Sequence, residues 1–150
     1  MFTRIISGGQ TGVDRAALDA ALELGLPCGG WCPRGRRAED GPIPERYPLV
    51  ETPWEGYPQR TEWNVRDSDG TLVLVCGQSD RGTALTIQVA KRYPKPLLIV
   101  DLSTDPDAAN VGAWAQTRDI QVLNVAGPRE SSCPGIYARA IEFLRRVFTV

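Results

Sequence analysis

Histidine is absent from this chain of 150 residues. Without an imidazole, the chain cannot build a Ser-His-Asp triad, a Cys-His nucleophile pair or a metal site that uses two histidines. Neither positive nor negative charge is in large excess, because 17 Lys and Arg residues are balanced by 18 Asp and Glu residues, for a net charge of -1. This balance argues against a general binder of nucleic acid or of membrane surfaces, but it leaves room for a local basic pocket.

Long apolar runs and export signals are lacking as well. No run approaches the roughly 20 apolar residues that a bilayer-spanning helix needs, and no basic segment precedes the first apolar stretch. We therefore expect a cytoplasmic protein without a membrane partner. Cysteine is sparse, with four residues, and Cys28 and Cys32 are spaced C-x-x-x-C rather than as a C-x-x-C motif. We expect buried thiols, no disulfide and no metal site.

What the chain does contain is an alternation of aliphatic runs and amphipathic segments. The run Thr71–Cys76 is typical of a central strand of a parallel sheet, buried on both faces. Shorter strands are predicted at residues 3–7, 28–31, 47–51, 96–100 and 120–125, and helices at about residues 12–24, 59–67, 83–93 and 107–116 and from about residue 134. The alternation predicts one α/β domain over residues 1–150 with a mostly parallel sheet, in which 71–76 is central and 3–7 lies beside it.

Three glycine-bearing loops follow predicted strands. The carboxyl ends of parallel strands lie at one edge of the sheet, so these loops are expected at the same edge. Ligands of open α/β sheets bind at that edge. Glycine lets the backbone approach a ligand closely, and a helix N-terminus favours negative charge. The loops therefore predict a phosphate or nucleotide site. The candidate ligand-binding residues are Gly8, Gly9, Gln10, Thr11, Gly12, Arg81, Gly82, Thr83, Gly127, Arg129, Glu130 and Ser131, with no catalytic or metal-binding residue among them.

Each loop also has a simpler interpretation. The first matches neither G-x-G-x-x-G nor the Walker A pattern, and it could be a tight turn with Thr11 as helix N-cap and Asp14 completing a capping box. For Asp14 alone we favour capping. In the second loop, Arg81 pairs with a phosphate or is a solvated surface residue, and both remain open. In the third, Glu130 could simply neutralise Arg129, in an ion pair of little energetic value.

A further basic segment lies between the predicted second and third strands. It carries Arg34, Arg36 and Arg37, followed by Glu39 and Asp40. A solvated loop is the simpler interpretation, and a lid over an anionic ligand is the sharper alternative.

The segments 7–14, 79–86 and 124–131, taken together, resemble the molybdenum cofactor carrier family, a YpsA-related branch of the SLOG superfamily that is related to the LOG phosphoribohydrolases. The match extends over essentially the whole chain. The resemblance implies a Rossmann-like three-layer sandwich, a homo-oligomer, and a pocket for a phosphorylated small molecule at the carboxyl ends of the strands. A nucleotide or a phosphorylated pterin such as the molybdenum cofactor is the implied ligand.

One departure from the related hydrolases bears on catalysis. The LOG motif P-G-G-x-G-T-x-x-E ends in a glutamate that takes part in cleaving the N-glycosidic bond. Aligning its Gly-Thr pair with Gly82 and Thr83 puts Thr86 at that position, and a threonine hydroxyl cannot act as a general acid near neutral pH. We favour a non-catalytic binding protein. A LOG-type N-glycosidase and a structural subunit with a vestigial pocket remain the alternatives.

Overall fold

The structure, a computed structural model, describes residues 1–77 and 80–149. Its strands are β1 (Arg4–Ile6), β2 (Cys28–Gly29), β3 (Trp31–Cys32), β4 (Arg37–Ala38), β5 (Gly41–Pro42), β6 (Val50–Glu51), β7 (Gly70–Val75), β8 (Leu97–Asp101) and β9 (Val122–Ala126). Its helices are α1 (Val13–Glu23), α2 (Tyr57–Arg66), α3 (Arg81–Arg92), α4 (Ala108–Thr117) and α5 (Ile136–Phe148), with a 3-10 turn at Leu102–Thr104.

The central sheet has five parallel strands in the order β2-β1-β9-β7-β8. Every residue of β7 is buried, as its aliphatic run predicts. The predicted neighbour of β7 was wrong, because β9 lies between β1 and β7 and pairs with both. The connection from β8 through α4 spans two strand positions and inserts the last strand in the middle of the sheet.

Helices cover both faces of this sheet and make a three-layer α/β sandwich of the Rossmann-like kind. Helix α5 contacts both α1 and α4 on one side, and α2 contacts α3 on the other. Right-handed crossovers explain the division, since β1 connects to β2 in one direction along the sheet and β7 connects to β8 in the opposite direction. The predicted apolar face of α5, formed by Ile136, Ala140, Leu144 and Val147, is at most 1% exposed and is part of the main core.

Two shorter segments differ from the predictions. The expected strand over residues 28–31 is divided at Gly30, whose φ of 128° few other residues adopt. As a result β2 joins the central sheet, while β3 pairs with β6 in a separate two-stranded sheet. The arginine-bearing loop contains the hairpin β4–β5. Helix α3 begins at Arg81, two residues earlier than predicted, because Asp80 caps it.

Candidate functional site

The loops after β1, β7 and β9 meet at the carboxyl edge of the sheet, as predicted. The chain leaves β1 towards β2 on one side and β7 towards β8 on the other, so a crevice opens at this reversal of direction. It holds a pocket of about 390 Å³. Six predicted residues are in its wall: Gly8, Gln10, Arg81, Gly82, Gly127 and Arg129.

Helix α2, which the sequence did not connect with the site, supplies another wall of the pocket through Tyr57, Arg60, Thr61 and Asn64. Arg60 extends along Gly8 and pairs with Asp14, with Nη1 3.0 Å from Oδ2, and the two side chains are only 11% and 7% exposed. Burial raises the pKa of Asp14 above its ordinary value, and the charge and hydrogen bond of Arg60 offset only part of that rise. A buried ion pair therefore lies in the wall of the pocket.

The amides of the first glycine loop are largely occupied by protein acceptors. Four of them donate over distances of 3.1–3.3 Å, from Gly9 to Ser7 Oγ, from Gln10 to Asp14 Oδ2, from Thr11 to Gln10 Oε1 and from Val13 to Pro128 O. The amides of Gly9, Gln10, Thr11 and Val13 therefore all have acceptors within the protein. The third loop and Asp14 accept from two of these donors, and the side chains of Ser7 and Gln10 accept from the other two.

The N-cap of α1 is Gly12 rather than Thr11, so the predicted capping box is not formed. A side chain at position 12 would place its Cβ 2.3 Å from Pro128 O, and φ there is +80°. The hydroxyl of Thr11 instead donates to Glu39 and accepts from the Glu130 amide. Asp14 keeps one feature of the predicted cap, because its carboxylate accepts from the Gln10 amide ahead of the helix.

At the start of α3, the carboxylate of Asp80 occupies part of the predicted anion position. Its Oδ1 accepts from the Thr83 amide at 2.7 Å. Burial tends to raise the pKa of Asp80, but hydrogen bonds from Thr83 and Ser132 and the charge of Arg129 outweigh it and lower that pKa. Thr83 is 1% exposed and absent from the pocket wall, and its buried hydroxyl has no partner within residues 1–77 and 80–149. Ser79, the first residue of the predicted motif, lies outside the described residues.

Glu39 binds two of the predicted residues, Thr11 and Ser131, outside the wall of the pocket. Its carboxylate accepts from the Thr11 hydroxyl and from the amide and hydroxyl of Ser131. Burial tends to raise the pKa of Glu39, but these hydrogen bonds dominate and lower it. Arg129 Nε lies 3.7 Å from Glu39 Oε1, while Glu130 accepts from the Gly135 and Tyr137 amides at the start of α5.

Besides Thr83, five of the predicted site residues lie outside the wall of the pocket. Gly9 is packed beneath the apolar side chains of Leu49 and Ile43. Thr11, Gly12 and Glu130 line a separate cavity of about 460 Å³ between α1 and α5. Ser131 is held by Glu39. These residues fasten the loops that carry the pocket, and they are not in its wall.

The arginine-bearing segment is neither solvated throughout nor a free lid. The guanidinium of Arg36 donates to four backbone carbonyls, those of Ile43, Pro44, Tyr47 and Leu49, at 2.8–3.2 Å. Arg36 therefore fixes the shape of its own loop. Arg37 lies over the ring of Tyr57, a residue of the pocket wall, 5.0 Å from its centre, whereas Arg34 is an exposed partner of Glu55.

Comparison with known proteins agrees with this architecture. The profile described as the circularly permutated YpsA SLOG family matches residues 5–148. The chain belongs to the circularly permuted YpsA family of SLOG proteins. A crystal structure from Syntrophus aciditrophicus SB, named "putative molybdenum carrier protein", is 47% identical, superposes with a TM-score of 0.91, and is matched over 97% of this chain and 94% of its own. A search of curated proteins gave no match.

Two other features are lacking in the described part of this YpsA-family chain. Within residues 1–77 and 80–149, no helix is long and apolar enough to cross a bilayer. In the same part of the chain, no group of three or more His, Cys, Asp or Glu side chains is arranged to hold a metal ion. The expectation that all four thiols are buried was wrong, since only Cys32 is fully enclosed.

Five of the pocket residues that were not predicted from the sequence lie outside the three glycine-bearing loops. Arg60, Thr61 and Asn64 come from the helix predicted at 59–67, Tyr57 lies just before it, and Asn124 is the buried third residue of β9. No local motif marks them. Only Asp14 carried a signal, as the acidic residue in the first turn of α1, and that signal indicated a cap.

Proposed function

We propose that this YpsA-family protein binds a small phosphorylated heterocycle, a nucleotide or a phosphorylated pterin such as the molybdenum cofactor, in the pocket at the carboxyl edge of the sheet. The observation that carries the proposal is the convergence of Arg60, Arg81 and Arg129 on one pocket from three separate segments of the chain. Guanidinium groups are well suited to phosphate, since their planar fork of donors matches its oxygens.

Charge and size support this ligand class. Asp14 and Asp80 neutralise part of the arginine charge, but three guanidinium groups outnumber these two carboxylates in the wall. Arg60 retains unused capacity, since its buried Nε has no acceptor in the described residues. A volume of about 390 Å³ lies near the lower end of the roughly 300–1,000 Å³ typical of ligand pockets, which favours a single nucleotide over a dinucleotide.

The composition of the wall favours a ligand with a flat apolar part. Tyr57, Leu85 and Val125 line the pocket together with the arginines. A heterocyclic ring would contact these apolar groups while its phosphoryl group binds the guanidinium groups. The name of the Syntrophus protein supports the molybdenum cofactor as one such ligand. The proposal concerns the phosphorylated heterocycle of that cofactor, because no described cluster of side chains suits a metal ion.

A LOG-type N-glycosidase is the second candidate, and one observation favours it: Asp14 is a buried carboxyl in the pocket wall with a raised pKa, as expected of a general acid. Two contacts count against it. The Asp14 carboxylate is engaged by Arg60. Thr86, at the position of the hydrolase glutamate, donates its hydroxyl to Gly82 O at 3.1 Å. We therefore rank binding without turnover first.

Position 82 offers a sharp test of the site. Among the described residues, a Cβ there would meet only Asp80 Oδ1, at 3.8 Å, so a side chain at this position enters the pocket. Gly82→Asp adds bulk and negative charge beside Arg81, whereas Gly82→Ala adds one methyl group and should favour the helix by about 1 kcal/mol. Calorimetric titration of adenosine monophosphate and a phosphorylated pterin should show binding to wild type and Gly82→Ala and none to Gly82→Asp.

The salt dependence of the affinity and the melting temperatures of the variants complete the experiment. Affinity should decrease as salt increases, because Arg81 and Arg129 are exposed and their charges are screened. Equal melting temperatures of the two variants would show that the loss of binding is local. Equal affinity of wild type and Gly82→Asp for both probes would place the site elsewhere, and the segment around Arg37 would be the next to test.

A further inference from the structure

The carboxylate of Glu39 is held by donors from two loops that the sequence predicts to bind an anion. Its Oε2 accepts from the Thr11 hydroxyl and, at 3.2 Å, from the Ser131 amide. Its Oε1 accepts from the Ser131 hydroxyl and lies 3.7 Å from Nε of Arg129. Three donors and a guanidinium group around one carboxylate also suit the oxygens of a phosphoryl group. We call Thr11, Arg129 and Ser131 the cradle.

The two loops that form the cradle are joined to each other by contacts that do not involve Glu39. The Glu130 amide donates to Thr11 Oγ1 at 3.1 Å, so the hydroxyl proton of Thr11 remains available for an acceptor in the cradle. The Val13 amide donates to Pro128 O, also at 3.1 Å. The cradle donors therefore keep their positions when the Glu39 side chain is elsewhere.

The backbone of Glu39 is likewise held independently of its carboxylate. Glu39 and Asp40 form the turn of the β4–β5 hairpin. The Glu39 amide donates to Gln10 Oε1 at 2.8 Å, and the Asp40 carboxylate accepts two hydrogen bonds from Arg15, at 2.8 and 2.9 Å. The Glu39 side chain is 20% exposed. Rotation of this side chain towards solvent would empty the cradle while the hairpin stays in place.

The cradle lies next to the pocket at the carboxyl edge of the sheet. Arg129 belongs to both, since it is in the pocket wall and close to the Glu39 carboxylate. Gln10 is also in the pocket wall, and its Oε1 accepts from the amides of Thr11 and Glu39. An anionic group that enters from the pocket past Arg129 therefore meets donors that Glu39 already occupies.

We propose that the cradle is a phosphoryl-binding subsite beside the pocket, and that Glu39 fills it in the free protein as a tethered competitor. The phosphoryl group of a ligand replaces the carboxylate when the Glu39 side chain rotates outwards. If Glu39 fills the cradle in about 90% of molecules, the apparent affinity for the phosphoryl group falls about tenfold. The inference rests on the proposed function for its ligand class, but inorganic phosphate alone tests the cradle.

The test is calorimetric titration of inorganic phosphate into wild type and variants at constant ionic strength. Glu39→Ala empties the cradle and should raise the affinity about tenfold. Asp40→Asn is the matched control, because it removes one negative charge from the same turn and leaves the cradle filled, and it should raise the affinity by much less. Glu39→Gln, which keeps an acceptor in the cradle, should give an intermediate gain.

Two further measurements locate the bound phosphate. Adding Ser131→Ala to Glu39→Ala removes a hydroxyl donor of the cradle and should reverse most of the gain in affinity. In Glu39→Ala, the amide resonance of Ser131 should shift during the titration. Melting curves establish that each variant is folded at the temperature of the titration.

Equal phosphate affinity of wild type and Glu39→Ala would overturn the proposal. An equal gain in Asp40→Asn would do so too, because net charge would then explain the effect. A gain that persists after Ser131→Ala, with no shift of the Ser131 amide, would place the anion outside the cradle. Adenosine monophosphate binding that Gly82→Asp abolishes, without a phosphate gain in Glu39→Ala, would refute this inference alone. A phosphate gain without nucleotide or pterin binding would support the cradle and refute the proposed ligand of the pocket.

Discussion

The buried pair of Asp14 and Arg60 gives the most decisive stability prediction. The two groups are 3.0 Å apart, and their side chains are almost fully enclosed between α1 and α2. Replacing Arg60 with methionine keeps much of the side-chain volume and removes the charge. Asp14 is then left buried without a cationic partner at hydrogen-bond distance. Breaking a buried pair in this way costs about 3–5 kcal/mol, because an uncompensated charge remains inside. For a chain of this size, the loss corresponds to a decrease in melting temperature of roughly 6–20 °C.

The stability that Arg60→Met loses relative to wild type should depend on pH, and the pKa of Asp14 sets the direction. The pKa of Asp14 is already raised by burial, and Arg60 is the largest influence that lowers it. Removing Arg60 raises this pKa further. A carboxyl whose pKa is higher in the folded than in the unfolded state stabilises the fold when protonated and loses that contribution as pH rises through the folded pKa. The deficit of Arg60→Met against wild type should therefore be smaller at about pH 5 than at about pH 8.

The assay is urea unfolding followed by far-UV circular dichroism at both pH values. The double variant Arg60→Met, Asp14→Asn should recover part of the stability, because the unpaired charge is gone. Arg145→Met is the matched control: its partner Glu23 is at a similar distance, 2.8 Å, but both side chains are about half exposed, and exposed pairs contribute little. A deficit that is equal at both pH values, or a double variant no more stable than Arg60→Met, would refute this reasoning.

Three further predictions concern catalysis, the loop network and assembly. Incubation with nucleoside monophosphates should release no free base, and turnover at about 1 s⁻¹ or faster would overturn the assignment as a binding protein. Glu39→Gln should lower the melting temperature near neutral pH. The pKa of Glu39 is below its ordinary value of 4.5, so its contribution is lost as pH falls through that lowered value, and the difference from wild type should then disappear. Sedimentation should detect the homo-oligomer that the family resemblance implies, and a monomer at all concentrations would contradict it.

The alternation of strands and helices could be predicted because it depends on local patterns. The aliphatic run over residues 71–76 and the apolar face of α5 are each visible within a short segment of the sequence, and both are buried in the structure. The meeting of three glycine loops at one edge followed from the same alternation, since parallel strands end on the same side. Six predicted residues accordingly line the pocket.

Strand order and the use of the loop donors could not be predicted in the same way. The placement of β9 between β1 and β7 depends on where a crossover docks on the sheet. The amides expected to hold an anion are engaged partly by Pro128 and Asp14, and the predicted hydroxyl of Thr11 by Glu39. Pro128 and Glu39 are remote from this loop in the sequence, and no local motif predicts that they contact it.

The sequence by itself determined the fold class and the edge of the sheet at which the glycine-bearing loops meet, because both rest on residue type and local period. Only the tertiary structure decided which groups line the pocket. Arg60 reaches Gly8 and Asp14 because α2 packs over the carboxyl edge of the sheet, while Thr11 and Ser131 are held by Glu39. The positive charge in the pocket wall therefore comes from side chains brought together by packing, while the amides of Gly9, Gln10 and Thr11 donate within the protein.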